Sequence, residues 1–321
     1  MILDSAAVSG RRKTGARRQT AAPLRNPFAA SGRGKAAPWF GMAPGLILFG
    51  LFSLVPAVTV VLFSFTDVSG IPGIGWNWVG FKNYARFFAS GEASANLGVL
   101  WRTLVFAFCV TVVLNALALG TAVLLNNKIK GAAFFRAIIF MPVVLGVTVT
   151  GLIWSLFFNP TGGPAASLWA FFGQSSAFLG DPNLALGIVI FVQIWMSLGY
   201  SMMIYHAGLM AIPAELYEAA TVDGANAFQR FRRITVPLIA PATTVNVLIS
   251  IIGSLQTYQI IYVLTGSRPS TSVLAMQIFA LGFGGSSQQG YASAISMVQF
   301  VLTAIISLIA LWFLRRQETQ L

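Results

Sequence analysis

Charged side chains are scarce in this chain, and cysteine and histidine are almost absent. Only 9% of the 321 residues are charged, and there is one cysteine, Cys109, and one histidine, His206. A single cysteine excludes a disulfide or a thiolate metal site formed within the chain. His206 lies near the end of the fourth long hydrophobic segment. Its possible roles are a proton relay and a packed or interfacial imidazole, and we favour the second.

Acidic residues are few, and none of them falls inside a hydrophobic segment. They are Asp4, Asp67, Glu92, Asp181, Glu215, Glu218, Asp223 and Glu318. Ion-coupled carriers and membrane-embedded enzymes need ionisable groups at membrane depth, so both classes are disfavoured. The sequence also contains no GxxxxGK[ST] phosphate loop, and we expect no cofactor on this chain. Any uphill transport must therefore draw its energy from another subunit.

Long hydrophobic runs dominate what is present. Hydrophobic residues make up 56% of the chain, and the mean hydropathy is +0.77. A helix needs about 20 apolar residues to cross the ~30 Å hydrocarbon core of a bilayer. Six segments are long enough, namely 41–66, 99–125, 132–158, 184–210, 239–264 and 290–314. The sequence therefore predicts an all-α membrane protein with six transmembrane helices.

Basic residues are distributed unevenly between the two sides of these spans. Sixteen of the twenty Lys and Arg residues fall on the side that holds both termini and the polar loop 213–237. By the positive-inside rule, both termini and this loop are expected in the cytoplasm. We expect residues 1–38 to form a disordered basic tail near anionic headgroups, 39–316 the membrane domain and 317–321 a short cytoplasmic tail. The net charge of +12 then needs no nucleic acid to explain it.

The polar loop 213–237 reads PAELYEAATVDGANAFQRFRRITVP. Pro213 suits the first position of a helix, and Gly224 can take the positive φ that ends a helix and redirects the chain. The pattern predicts two short helices broken at Asp223-Gly224. A loop folded in this way is suited to present a surface to another molecule.

The spacing within this loop is specific. The residues that carry it are Glu218, Ala219, Ala220, Asp223, Gly224, Ile234 and Pro237. They resemble the EAA motif of the membrane subunits of binding-protein-dependent ABC importers, although Val236 stands where that family has leucine. The resemblance implies a helix that docks on a cytoplasmic ATPase, whose ATP-driven closure switches the permeases from inward-facing to outward-facing. The alternative is an amphipathic loop lying on the inner membrane surface.

Further segments are similar to the sugar-importing branch of that family, of which the maltose permease subunits are the best known. They include 78–84 (WVGFKNY), 131–142, Trp154, 158–160, 262–266 (YVLTG) and 290–292. Ser267-Arg268-Pro269 departs from the branch, which tends to keep glycines before the proline. The likeness covers about residues 40–316.

The resemblance implies a six-helix permease domain of the type I ABC importer fold in the bacterial plasma membrane. It also implies a mono- or oligosaccharide substrate and contact with membrane lipid. The expected partners are a second permease in a heterodimer, two ATPase subunits that hold ATP and Mg, and an extracytoplasmic solute-binding protein. A permease for a phosphorylated polyol such as glycerol phosphate is the alternative within the class. A stand-alone ion-coupled carrier is the alternative outside it.

Sugar recognition needs amides and hydroxyls beside aromatic faces. The intramembrane candidates are Asn115, Gln193, Trp195, Asn246, Gln256, Tyr258, Gln259 and Gln299. Each amide has the alternative role of bridging neighbouring helices. We favour the cluster Gln256, Tyr258 and Gln259 in the fifth span, because three polar groups in four residues are expensive to bury without a use.

Overall fold

The computed structural model describes residues 37–89, 91–126 and 130–318. The regular secondary structure of these residues is helical, apart from one isolated antiparallel bridge between Thr66 and Trp78. The all-α prediction is confirmed. Residues 1–36 and 319–321 lie outside the described ranges, and with them most of the predicted tails. The described chain forms two compact units, divided after Pro56.

The first unit holds the first helix, Ala37–Phe49, and the π-helical turn Gly50–Leu54. No residue from 41 to 56 is buried. The helices of the described chain are α1 Ala37–Phe49, α2 Val55–Phe63, α3 Lys82–Ala89, α4 Ala93–Asn126, α5 Ala132–Val144, α6 Val147–Phe157, α7 Pro164–Phe171, α8 Ala185–Met210, α9 Ala214–Val222, α10 Ala227–Arg230, α11 Val236–Leu238, α12 Ala240–Gln256, α13 Gln259–Thr265, α14 Leu274–Gly282 and α15 Gln289–Glu318. Single turns at Gly50–Leu54 and Phe231–Thr235 are π-helical, and Phe178–Gly180 forms a 3₁₀ turn.

Within the described residues, four helical stretches are long and apolar enough to cross a membrane alone. They are Gly41–Phe63, Ala93–Asn126, Ala185–Met210 and Gln289–Arg316. Two bent pairs bring the number to six if each pair counts as one span. They are Ala132–Val144 with Val147–Phe157, bent by 101°, and Ala227–Leu238 with Ala240–Gln256, bent by 69°.

The third predicted span, 132–158, is thus two helices meeting at a sharp angle. Pro142 lies near the end of α5 and has no N–H to donate. Leu145 and Gly146 are extended, with ψ of 131° and 149°, and the helix resumes at Val147. Proline kinks need neighbouring groups to satisfy the freed backbone. The sequence located the proline, but the angle follows from two extended residues after it.

The fifth predicted span, 239–264, is also interrupted, where the sequence predicted one helix. α12 ends at Gln256 because Thr257 is extended, with ψ of 124°. The Thr257 hydroxyl donates to the Gly253 carbonyl at 2.7 Å. That bond satisfies one of the carbonyls that the helix end leaves open. A new helix, α13, begins at Gln259.

The core of the second unit lies around α4 and α8. One cluster of buried side chains joins α4 to α8 and α13; it contains Phe106, Val110, Leu114, Val189, Val192, Ile260 and Ile261. A second, toward the other end of the same two helices, contains Ala118, Ala122, Met202, Tyr205 and Leu209. Inside a bilayer such clusters hold helices together by close packing and not by exclusion of water.

A single glycine allows α8 to approach α5 closely. A Cβ added at Gly199 would lie 2.5 Å from the Ile139 carbonyl oxygen and 2.6 Å from the Phe140 Cα. Backbone atoms cannot move out of the way as a flexible side chain can. Glycine at position 199 therefore sets the distance between these two helices.

The segment 78–84 folds back on the end of the first span. The Asn83 side-chain amide donates to the carbonyls of Ser64 and Thr66 at 3.0 and 2.8 Å. The Tyr84 hydroxyl donates to the Ser64 hydroxyl at 2.8 Å. The residues of the WVGFKNY segment thus have a structural role, because they fix the connection that leads from the first span into α3.

Candidate coupling loop and solute cavity

The loop 213–237 folds as two short helices with a break at Asp223-Gly224, as its sequence predicts. Pro213 precedes α9 at the N-cap position, one residue before the position that we expected from sequence. The second arm consists of α10, the π turn Phe231–Thr235 and α11. The chain then bends into α12 at Ile239.

The break at Gly224 is a Schellman C-cap, which explains the spacing of the motif. Gly224 has φ of +77°. Its N–H donates to the Thr221 carbonyl at 3.1 Å, and the Ala225 N–H donates to the Ala220 carbonyl at 2.9 Å. These are the two bonds that define this helix ending. The distance from Ala220 to Gly224 in the motif is therefore the distance that the cap requires.

The second arm begins with a capping box that our sequence reasoning missed. The Asn226 side chain accepts a bond of 2.9 Å from the Gln229 N–H. The Gln229 side chain in turn accepts one of 2.8 Å from the Asn226 N–H. The signal was present as Asn-x-x-Gln, the spacing of this cap. The two side-chain acceptors satisfy backbone N–H groups that would otherwise bond to water at the start of this four-residue helix.

Two side-chain contacts join the arms. The hydroxyls of Tyr217 in α9 and Thr235 in the π turn share a hydrogen bond of 2.9 Å. A guanidinium N–H of Arg230 donates to the Thr221 hydroxyl. Tyr217 and Ile234 also pack against the Ala118–Leu209 cluster of the core. The loop therefore has a defined conformation and is anchored to α4 and α8.

Most motif residues lie at the surface. Glu218, Ala219, Asp223 and Gly224 are exposed, while Ala220, Ile234 and Pro237 are half-buried. Large apolar side chains are exposed beside them, with Val222 at 88% and Phe228 at 69%. Four motif residues line one cavity of about 410 Å³ between the arms, namely Ala220, Asp223, Gly224 and Ile234. The Glu218 carboxylate belongs to an exposed residue, so a basic side chain of a partner can reach it.

A second cavity forms where the two interrupted spans meet. It has a volume of about 280 Å³ and is lined by Val147, Gln193, Met196, Gly253, Gln256, Thr257, Tyr258, Gln259 and Ile260. Four of the eight candidate substrate residues are thus brought together: Gln193, Gln256, Tyr258 and Gln259. Unwound membrane helices commonly place their free backbone groups at such sites.

The chemistry of this cavity suits a hydroxyl-rich solute. Gln256 and Gln259 are exposed in the chain on its own, contrary to our expectation that they are buried. The helix break removes them from the core, so their side chains are free to face a ligand. The Tyr258 ring stacks on Phe279 with centroids 5.0 Å apart, which holds it in place. Amides beside an aromatic face are the groups that bind sugars.

The other four candidates lie elsewhere. Gln299 is buried on α15, and its amide donates to the Leu255 carbonyl at 3.0 Å. Asn115 and Asn246 are buried in contacts between helices, and the Asn246 amide donates to the Ser201 carbonyl at 3.2 Å. The Trp195 ring packs edge-on against Trp154 at 5.3 Å. Sequence alone could not separate these residues from the cavity set, because both sets are polar or aromatic and lie within spans.

His206 is buried and lies against the Arg136 guanidinium, joining α8 to the start of α5. The part of the chain that the structure describes contains no group of three or more His, Cys, Asp or Glu residues able to hold a metal ion.

Comparison with known proteins agrees with these features. Residues 114–319 match the family described as "Binding-protein-dependent transport system inner membrane component". The chain is 31% identical over 274 residues to the trehalose/maltose transport system permease protein MalF of Thermococcus litoralis, covering 82% of this chain and 92% of that protein. It is also 31% identical over 283 residues to the multiple sugar-binding transport system permease protein MsmF of Streptococcus mutans, covering 87% and 96%.

A solved structure shares the fold. It is the crystal structure of a bacterial ABC transporter involved in the import of the acidic polysaccharide alginate. One of its chains superposes with a TM-score of 0.77 at 23% identity, covering 88% of this chain and 97% of that one. The predicted permease fold and the location in the plasma membrane are confirmed. By this evidence the chain belongs to the inner-membrane permease family of binding-protein-dependent ABC transporters.

Proposed function

We propose that this chain is one permease subunit of an ATP-driven importer for a mono- or oligosaccharide. It would form half of the translocation path and work with a second permease, two ATPase subunits and an extracytoplasmic solute-binding protein. Both termini and the loop 213–237 lie in the cytoplasm in this proposal, as the distribution of basic residues favours. ATP and Mg belong to the ATPase subunits.

The shape of the loop 213–237 carries the coupling part of this proposal. Its two arms are fixed by a Schellman cap, a capping box and the Tyr217–Thr235 hydrogen bond. An amphipathic loop that only lies on lipid needs an apolar face and no defined turn. Here the turn is defined by hydrogen bonds, and small residues and the Glu218 carboxylate are exposed there beside Val222 and Phe228. Small residues permit close approach of another protein, and Glu218 offers a charge-assisted hydrogen bond to a basic side chain.

The cavity at the helix breaks supports the solute part. Its amides, the Thr257 hydroxyl and the Tyr258 ring converge at the ends of interrupted spans. Relatives that are about 30% identical have names that refer to trehalose, maltose and multiple sugars. The same cavity is lined by no acidic or basic residue. A neutral sugar therefore fits this lining better than a phosphorylated polyol, which would need a cation.

The test is reconstitution in lipid vesicles. The purified chain alone should hydrolyse no ATP. Together with its second permease and ATPase it should hydrolyse ATP, with stimulation by the sugar-loaded binding protein, and accumulate that sugar. Accumulation by this chain alone under a proton or sodium gradient would contradict the proposal and favour an ion-coupled carrier.

A further inference from the structure

The last membrane helix, α15, carries a row of polar side chains on one face. Ser296, Gln299, Thr303 and Ser307 recur at intervals of three and four residues, which places them on one side of the helix. They line a cavity of about 430 Å³ together with Ile252, Gln256, Ile278, Phe300 and Ala304. We call these four residues the α15 stripe. None of the four is among the residues that line the solute cavity described above.

Three polar atoms of the stripe lack a partner. The Gln299 Oε1 and the hydroxyl oxygens of Thr303 and Ser307 are buried and make no hydrogen bond within the described residues. An unpaired buried polar group is unfavourable, because it has lost its hydrogen bonds to water without replacing them. A serine or threonine in a membrane helix usually bonds to the carbonyl four residues back, as Ser296 does to Ala292 at 2.9 Å. The departure from this habit at Thr303 and Ser307 indicates a use for both hydroxyls.

Gln299 gives the row a fixed polar end. Its side chain is only 8% exposed, and its Nε2 donates to the Leu255 carbonyl at 3.0 Å. That bond anchors the amide at the end of α12 and leaves the Oε1 as its unused acceptor. A buried amide held by one end is a preorganised acceptor for a hydroxyl donor.

The α15 stripe is continuous with the solute cavity. Gln256, the last residue of α12, lines both cavities. From Gln299 to Ser307 the stripe runs for eight residues, about 12 Å along the helix axis. In the orientation of the proposed function, α15 runs from the outer side to the cytoplasm. The stripe then leads from Gln256 toward the cytoplasmic end.

We propose that the α15 stripe is a second solute-contact surface, the route by which a hydroxyl-rich solute leaves the cavity at Gln256 for the cytoplasm. This inference rests on the proposed function. The Gln299 amide and two hydroxyls supply hydrogen bonds along the route, and the Phe300 ring, 65% exposed, supplies an aromatic face beside it. Lipid tails offer no hydrogen bond to these groups. A helix of the second permease is the other occupant that the experiment must distinguish.

The chain has a single cysteine, Cys109, so one substitution gives a chain without thiols for cysteine labelling. In a Cys109→Ala background of the assembled importer, Thr303→Cys and Ser307→Cys are introduced one at a time. Ile305→Cys is the matched control, because Ile305 is 51% exposed and lies about half a turn from both positions. The probe is a negatively charged, membrane-impermeant methanethiosulfonate, applied from the cytoplasmic side of inside-out vesicles.

A water-filled exit route should make the cysteines at 303 and 307 react at least about ten-fold faster than the one at 305, since the thiolate reacts only where water reaches it. Equal rates at the three positions overturn the inference. So do disulfide cross-links to a cysteine-bearing second permease without labelling, which would assign the face to a helix contact.

A transport measurement adds a second readout. Gln299→Leu removes the anchored acceptor at similar size and should lower the import rate of maltose or maltotriose several-fold, with Ile305→Ala as the unchanged control. Normal import by Gln299→Leu counts against the exit route. A wild-type complex that imports no sugar would contradict the proposed function, while the labelling pattern still decides whether the stripe lines a water-filled route.

Discussion

The hydroxyl of Tyr205 donates a hydrogen bond of 2.9 Å to the Oδ1 of Asn115, and both side chains are buried. The same asparagine donates from Nδ2 to the Ser250 hydroxyl at 3.1 Å and to the Thr111 carbonyl at 2.8 Å. One amide thus joins α4, α8 and α12. An amide engaged at both ends has little capacity left for a solute, which favours the bridging role for this residue.

Replacing Asn115 should lower stability more than it alters transport. Asn115→Leu removes the hydrogen bonds to the Tyr205 and Ser250 hydroxyls, although Ser250 still donates to the Asn246 carbonyl at 2.7 Å. Such bonds in membrane proteins are worth about 0.6–2 kcal/mol each. The thermal unfolding midpoint of the purified subunit should fall. Combining it with Tyr205→Phe should add less than the two single losses, since both remove the same bond. An unchanged midpoint with an altered KM would point to solute contact instead.

Gly224→Val should uncouple ATP hydrolysis from transport or release the ATPase. No heavy atom lies within 4 Å of a Cβ built at Gly224, so the expected damage comes from the φ of +77° and not from a clash. Valine strongly disfavours this conformation. Co-purification of the ATPase and transport in vesicles are the readouts, with circular dichroism to check folding.

Gly224→Asn is the matched control, because asparagine tolerates positive φ and should retain most coupling. Normal transport by Gly224→Val, with the ATPase still bound, would show that the loop is not the coupling element.

Glu218→Ala should act in the same direction as Gly224→Val, but more weakly. Glu218 is exposed and takes no part in the Schellman cap or the capping box, so the loop keeps its shape. The change removes at most one charge-assisted contact to the partner. ATPase affinity measured by titration should fall modestly. An effect as large as that of Gly224→Val would mean that charge, and not loop shape, dominates docking.

Gln256→Ala and Tyr258→Ala should each weaken transport while the complex still assembles. Gln256→Ala removes an amide from the cavity, and Tyr258→Ala removes the ring that stacks on Phe279. Tyr258→Phe keeps the ring and separates stacking from hydrogen bonding. Transport kinetics in vesicles provide the measurement. If neither alanine variant changes KM or rate, the solute passes another face of the fifth span.

The connection after the first span should lose order in acid. The Asn77 backbone and side-chain N–H groups donate to Asp67 and lower the pKa of its carboxyl from the ordinary 3.8, with a smaller contribution from Lys82. A lowered pKa stabilises the fold fully above the ordinary value, and this stabilisation is lost as pH falls through the lowered one. The backbone amides around Asn77 should therefore stay protected from hydrogen exchange at pH 5. Their protection should fall only below pH 3.8. Asp67→Asn should remove that pH dependence, and equal protection of both proteins at every pH would contradict the assignment.

The sequence and the tertiary structure determine different properties of this protein. The sequence determined the membrane class, the approximate spans and the two-armed loop, because long apolar runs and a glycine at a helix end leave few alternatives. The sequence also contains the Asn-x-x-Gln pattern of the Asn226–Gln229 capping box, which needs no tertiary contact.

Tertiary structure decided what the polar residues inside the spans do. Gln193, Gln256, Tyr258 and Gln259 share a cavity because two spans break at the same place, whereas Asn115 is held by three helices. An amide has the same chemistry in either setting. Only the position of the neighbouring helices determines whether its hydrogen bonds are already used or remain open to a solute.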